Sequence, residues 1–202
     1  MVVFKKILDF YINSSLHVAL SAFALVSMTQ YFFGVQGDFS VAFFAFFGTV
    51  VGYNFVKYDA IARLNKTEIK NELKTFVFLS FISLLACFYF FLQLSWMSKV
   101  SAFAFFGLTL LYTLPFFPNK QNARNWKGVK IYIVGITWVG VTVILPLVEA
   151  EITFSMDVLL MALQRFLLVF SIVLVFDIVD VKHDDIHLQT VPKKIGVKLT
   201  KK

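Results

Sequence analysis

The sequence predicts an all-α, polytopic transmembrane helix bundle. Of its 202 residues, 59% are hydrophobic and only 15% are charged, and the mean hydropathy is +0.79. A soluble domain has about 45–50% apolar and about 25% charged residues, so the excess apolar surface is expected to face lipid. The apolar residues also form long runs, and basic residues collect in alternate loops between them. Cys87 is the only cysteine, which excludes an intramolecular disulfide.

Six apolar windows have the length of a membrane span. A helix needs about 20 mostly apolar residues to cross the hydrocarbon core. Charges, proline or glycine bound each window, and no linker or internal repeat separates them, so residues 1–202 are expected to form a single transmembrane domain. The predicted spans are Leu16–Phe33, Phe39–Lys57, Phe76–Leu94, Val100–Phe117, Ile131–Val148 and Met156–Val179.

The distribution of basic residues predicts the orientation of these spans. All but Lys99 and Arg165 of the 19 Lys and Arg fall at the termini or in the loops after the second and fourth spans. Basic residues accumulate on the cytoplasmic side of a membrane, so both termini are predicted to be cytoplasmic. This placement accounts for most of the net charge of +7, and no nucleic-acid partner is expected. Arg165 lies inside the sixth span, either as a functional charge or as a structural one that snorkels or pairs with Glu149 or Glu151.

Three carboxylates follow one another at the cytoplasmic end of the sixth span. Asp177, Asp180 and Asp184 are spaced i, i+3 and i+7, which puts them on one face of a helix. Clustered anions repel one another unless a cation lies between them, and oxygen-only ligands suit Mg²⁺. The spacing alone is equally compatible with a solvated acidic helix end that pairs with Lys182, Lys193 or Lys194.

This segment resembles the second aspartate-rich motif of the UbiA superfamily of membrane-embedded prenyltransferases. The family motif is D-x-x-D-x-x-x-D followed by T-L-P-x-x-x-G, and here Thr190, Pro192 and Gly196 follow the three aspartates in that order. The turn at Tyr112-Thr113 and the basic loop after it, with Lys120 and Arg124, are also similar to the family. The resemblance implies a nine-helix fold, of which about six spans are present, so the chain is expected to be C-terminally incomplete.

The first aspartate-rich motif departs from the family pattern. Asn54 matches the family's asparagine, but Tyr58 and Ala62 stand where acids are expected, and Asp59 comes one residue late. One residue rotates a side chain by about 100° around a helix, so Asp59 would serve only where the helix is distorted or has ended. Lys57 either neutralises phosphate in place of a metal or caps an inactive site.

The resemblance implies a Mg²⁺-dependent prenyltransferase of the bacterial inner membrane. Its substrates would be an isoprenoid diphosphate and a lipophilic acceptor, which in this family is often aromatic. A non-catalytic homologue that binds isoprenoid or lipid diphosphate remains an alternative, as does an unrelated six-span transporter with an ion site. The implied catalytic and metal-binding residues are Asp177, Asp180 and Asp184, with Asp59 at the other metal; the implied diphosphate-binding residues are Asn54, Lys57, Lys120 and Arg124.

Overall fold

The computed structural model describes residues 2–35, 38–64, 71–113 and 129–180. Every regular element within these ranges is helical, which confirms the all-α prediction for this part of the chain. A π-helical segment at Gly140–Ile144 joins the sixth and seventh helices. The helices are α1 Val2–Asn13, α2 Leu16–Phe32, α3 Ser40–Leu64, α4 Asn71–Gln93, α5 Trp96–Thr113, α6 Val129–Val139, α7 Leu145–Glu149 and α8 Met156–Asp180.

Four stretches of helix in the described residues are long and apolar enough to cross a membrane. They have 19, 21, 21 and 23 residues and coincide with the second, third, fifth and sixth predicted spans. The third of them is built from α6, the π-helical segment and α7 in direct succession. The four stretches are Ser40–Tyr58, Leu73–Gln93, Val129–Glu149 and Met156–Ile178.

The first and fourth predicted spans differ from the structure. α2 begins at Leu16 as predicted, but it reaches the required length only together with α1, from which it is bent by 62°. The apolar part of α5, Trp96–Leu111, is shorter than a span, and the predicted window continues into residues 114–128, which lie outside the described residues. The described chain thus supplies four potential spans, or five with the bent pair, against the six predicted.

The chain divides into two compact units, and the first comprises Met1–Lys99 with Pro146–Ile152. In this unit α3 packs along both α2 and α4. Small and β-branched residues line these contacts, which lets the helix backbones approach closely. Most of the remaining apolar surface is exposed, as a lipid-facing helix requires; only 11% of the α4 span is buried. The residues buried along α2 and α3 include Ala19, Ala22, Val26, Val41, Ala42, Ala45 and Val50.

The second unit comprises Val100–Leu145 with Thr153–Lys202. Here α6 and the π-helical segment pack against α8. Gly135 of α6 makes room for the ring of Phe166 on α8, because a Cβ atom at Gly135 would lie 2.7 Å from that ring. α6 and α8 run in opposite directions, because Lys130 contacts Asp177 whereas Gly135, later in α6, lies against Phe166, earlier in α8. The first residues of α6 therefore lie near the last residues of α8.

Candidate functional site

The second aspartate-rich motif begins on the last turn of α8. Asp177 is buried, with only 3% of its surface exposed. Its Oδ1 accepts a hydrogen bond from Nζ of Lys130 at 2.7 Å. Asp180 is the final residue of α8, so the helix continues through the first two acids of the motif as predicted. The side chain of Asp180 and the whole of Asp184 lie outside the described residues.

Lys130 supplies the positive charge that a buried carboxylate needs. An ionised group taken out of water is costly unless a charged or hydrogen-bonding partner compensates for the lost hydration. Lys130 stands at the start of α6, and its own side chain keeps 21% of its surface exposed. The predicted partners Lys182, Lys193 and Lys194 lie outside the described residues. The order of the apolar runs is the sequence signal that indicates this contact. Lys130 lies at the start of one apolar run and Asp177 at the end of the next, which places both at the same end of an antiparallel helix pair.

The described residues contain one carboxylate of the proposed metal site and no cluster that could hold a metal by itself. Within the described ranges, no group of three or more His, Cys, Asp or Glu side chains comes together. Asp177 contributes a hard carboxylate donor, and one of its oxygens already faces Lys130. Of the four predicted metal ligands, it alone has a described side chain. Asp177 therefore supplies one carboxylate of the kind that Mg²⁺ binds, and Lys130 is its neighbouring cation.

Asn54, the matched asparagine of the first motif, is buried on α3 with 2% of its surface exposed. Its Nδ2 donates to Oγ of Ser80 on α4 at 3.0 Å. The Ser80 hydroxyl in turn donates to the carbonyl of Phe76 at 2.7 Å. Oδ1 of Asn54 is buried and has no hydrogen-bond partner among the described residues. A buried amide oxygen without a partner is uncommon in proteins, and Nδ1 of His17 and Oγ of Ser27 share this condition in the first unit.

The residues after Asn54 bind the end of α1. Nζ of Lys57 donates to the backbone carbonyl and to Oδ1 of Asn13, at 3.3 and 3.2 Å. The hydroxyl of Tyr58 donates to the same carbonyl at 2.7 Å, and its ring stacks on Phe76 with 5.1 Å between centroids. Lys57, which the resemblance implies binds diphosphate, thus contacts the chain's own backbone. A cation at the last carbonyls of α1 also complements the helix dipole.

The remaining predicted residues are described only in part. α3 stays α-helical through Asp59 to Leu64, so the helix neither ends at Asp59 nor departs there from the α-helical form. The side chain of Asp59 lies outside the described residues, and so do Lys120 and Arg124. The structure therefore brings together Asp177 with Lys130 and, separately, Lys57 with Asn13.

A buried cation lies within the helices of the second unit. Arg165 of α8 has 2% of its surface exposed, and its Nη1 donates to Oγ1 of Thr142 at 2.9 Å. The Thr142 hydroxyl donates to the carbonyl of Trp138 at 2.6 Å. Thr142 belongs to the π-helical segment, a geometry that is frequent at functional sites. The sequence singled out Arg165 but gave no sign of Thr142, because the run Gly140–Ile144 reads as uninterrupted apolar helix.

No family model, curated protein or solved structure matches the chain. The resemblance to the UbiA superfamily therefore stays a prediction from the sequence.

Proposed function

We propose that the chain is an integral membrane protein that binds an isoprenoid diphosphate with Mg²⁺ and transfers the prenyl group to a small, lipophilic acceptor. The observation that carries this proposal is Asp177, a buried carboxylate at the end of a long apolar helix with a lysine 2.7 Å away. A carboxylate and a cation at the edge of a bilayer provide the two kinds of group that a metal-bound diphosphate needs.

The reaction breaks the bond between the first prenyl carbon and the diphosphate oxygen, and the electron pair leaves with the diphosphate. The allylic cation is then captured by the acceptor, which loses a proton. Bound Mg²⁺ would neutralise the leaving diphosphate. Asp177, Asp180 and Asp184 would hold it, with Asp59 at the other metal. Asn54, Lys57, Lys120 and Arg124 remain the proposed contacts to diphosphate oxygens.

Lys130 joins this set because of its place beside Asp177. In the structure its ammonium group neutralises the carboxylate. A phosphate oxygen is an equally good acceptor for the same ammonium, so Lys130 could bind diphosphate while Asp177 turns to a metal. The partly exposed side chain of Lys130 leaves it room to make this change.

The second candidate is a non-catalytic protein that binds isoprenoid or lipid diphosphate. The specific observation in its favour is Tyr58, which stands where the family has an acid and donates its hydroxyl to the carbonyl of Asn13. Lys57 beside it has the same partner. This end of α3 therefore has an observed structural role in holding α1.

The proposed location is the bacterial inner membrane, with both termini in the cytoplasm. Support comes from the apolar helices, which have the length of membrane spans, and from the basic residues grouped in alternate loops.

Binding of farnesyl diphosphate to the full chain in lipid nanodiscs tests the proposal. We expect Mg²⁺ to increase the affinity, and Asp177→Asn to reduce the Mg²⁺-dependent affinity by about 10–100-fold. Asp157→Asn is the matched control, because Asp157 is an exposed carboxylate in the first turn of the same helix. Asp180→Asn provides a second test should Asp177→Asn fail to fold.

The outcomes separate the candidates. Mg²⁺-dependent binding together with diphosphate release in the presence of acceptors supports the transferase. Mg²⁺-dependent binding without release supports the non-catalytic protein. Equal affinity of the wild type, Asp177→Asn and Asp180→Asn would contradict both.

A further inference from the structure

The side chains of α1 divide into a polar and an apolar face. At about 100° per residue, Lys5, Lys6, Asp9 and Asn13 fall on one side of the helix. The opposite side is apolar and exposed, with 72% of Phe4 and 63% of Ile7 accessible. The other exposed apolar residues of α1 are Val3, Leu8, Phe10 and Ile12.

The angle between α1 and α2 is fixed by contacts on both sides of the bend. The two helices meet at 62° across Ser14 and Ser15, and Ser15 adopts the left-handed conformation with φ 62°. Lys57 and Tyr58 of α3 both donate to Asn13, the last residue of α1. These interactions give α1 a defined direction relative to the helices that follow.

The bend sets the angle between α1 and the membrane for an α2 that spans the bilayer. With α2 along the bilayer normal, a bend of 62° leaves α1 within about 30° of the plane. α1 has 12 residues and is thus about 18 Å long, so its ends differ in depth by about 8 Å. The apolar faces of interfacial helices are buried about 5–10 Å deep, so a difference of this size keeps both ends of α1 within the interfacial region.

We propose that α1 is an interfacial helix that docks on the anionic lipid surface of the bilayer. Its apolar face enters the boundary between headgroups and acyl chains, and Lys5 and Lys6 contact the lipid phosphates. The charge of the polar face favours an anionic surface, since Lys5 and Lys6 outnumber Asp9. This inference rests on the membrane location in the proposed function and on none of its diphosphate chemistry.

Spin labels on the full chain in vesicles test the docking directly. In a Cys87→Ala background, labels are introduced by Phe4→Cys and Ile7→Cys on the apolar face, and by Lys5→Cys and Asp9→Cys on the polar face. Collision rates are measured with oxygen, which concentrates in lipid, and with a water-soluble nickel chelate. In vesicles containing phosphatidylglycerol, we expect oxygen to dominate at the apolar positions and nickel at the polar ones.

The lipid and charge dependence provides the second measurement. The double variant Lys5→Gln/Lys6→Gln, labelled at Phe4→Cys, is expected to lose the preference for phosphatidylglycerol over phosphatidylcholine, by about fivefold per lysine. Lys99→Gln is the matched control, because Lys99 belongs to another segment and its Nζ donates to the carbonyl of Leu92. It should leave the lipid preference unchanged.

Two results would overturn the proposal. Nickel access at all four labelled positions would show that α1 lies in water. Protection of all four positions from both reagents would show that protein, such as a second copy of this chain, covers α1. Either result leaves the diphosphate-binding proposal intact, because the two experiments share no variant and no ligand.

Discussion

Gly140 lies directly against the ring of Phe105, where a Cβ atom would overlap three ring carbons. Gly140 is the first residue of the π-helical segment that contains Thr142, the hydrogen-bond partner of Arg165. The absent side chain lets α5 approach this segment. Gly140 thus helps to position Thr142, in addition to letting α5 pack against the π-helical segment.

Replacing Gly140 by alanine should destabilise the chain by about 1–3 kcal/mol, because the added methyl group forces the Phe105 ring or the backbone to move. The control is Gly107→Ala on α5, where nothing lies within 4 Å of the new Cβ position. Thermal unfolding in detergent measures both. A second substitution, Phe105→Leu, should restore part of the loss; equal melting temperatures for Gly140→Ala and Gly107→Ala would contradict the contact.

The ion pair between Lys130 and Asp177 should contribute strongly to the free energy of unfolding, because it joins the start of α6 to the end of α8. Lys130→Met leaves the Asp177 carboxylate buried without that partner, and a cost of about 3–5 kcal/mol is expected. The double variant Lys130→Met/Asp177→Leu should recover most of this loss, because it removes both charges. A double-mutant cycle of unfolding free energies measures the coupling, and additive effects would show that the pair is energetically unimportant.

Substitutions of Asn54 and Ser80 should affect stability and ligand binding differently, although the two side chains share a hydrogen bond. Asn54→Leu is expected to cost little stability, because the Ser80 hydroxyl keeps its bond to the carbonyl of Phe76. It should nevertheless weaken Mg²⁺-dependent farnesyl diphosphate binding, since it removes the amide that is proposed to contact the diphosphate. Ser80→Ala leaves Nδ2 unpaired and should cost about 1–3 kcal/mol. Melting curves with and without ligand separate these effects, and full ligand binding by Asn54→Leu would exclude a role for this amide.

Tyr58→Phe should loosen α1 without disturbing α3. The variant loses the hydroxyl bond to Asn13 but retains a ring to stack on Phe76, so the expected cost is about 0.5–1.5 kcal/mol. Limited proteolysis in detergent should cut α1 faster in this variant than in the wild type. Tyr89→Phe, at an exposed tyrosine on α4, serves as the comparison, and similar cleavage rates for both variants would argue against the anchor.

The sequence predicts the helices that can be recognised from the length and hydropathy of an apolar run. The ends of α8, at Met156 and Asp180, fall within one residue of the predicted sixth span. α1 was not predicted because 12 residues with Lys5, Lys6 and Asp9 among them are too short and too polar to count as a span. The π-helical segment was missed as well, since its residues continue the apolar run of α6.

The candidate site is less predictable, because side-chain partners depend on helix register. Asp177 and Lys130 are 47 residues apart; the order of the apolar runs places them at the same end of a helix pair, but only the helix register decides that Lys130 and no other lysine meets Asp177. Asn54 could be identified from its motif, whereas its partner Ser80 depends on how α4 is rotated against α3. Lys57 has the chemistry of a phosphate ligand, and only the position of α1 shows that it binds Asn13.

The hydrogen bond between Arg165 and Thr142 has a consequence for biogenesis. An arginine near the middle of a single helix opposes insertion by about 2.5–3.5 kcal/mol, and the apolar residues of α8 must offset this. Thr142, on the preceding membrane stretch, offers the guanidinium a polar partner within the hydrocarbon. We therefore expect the translocon to release the two stretches into the lipid together, as a helical hairpin.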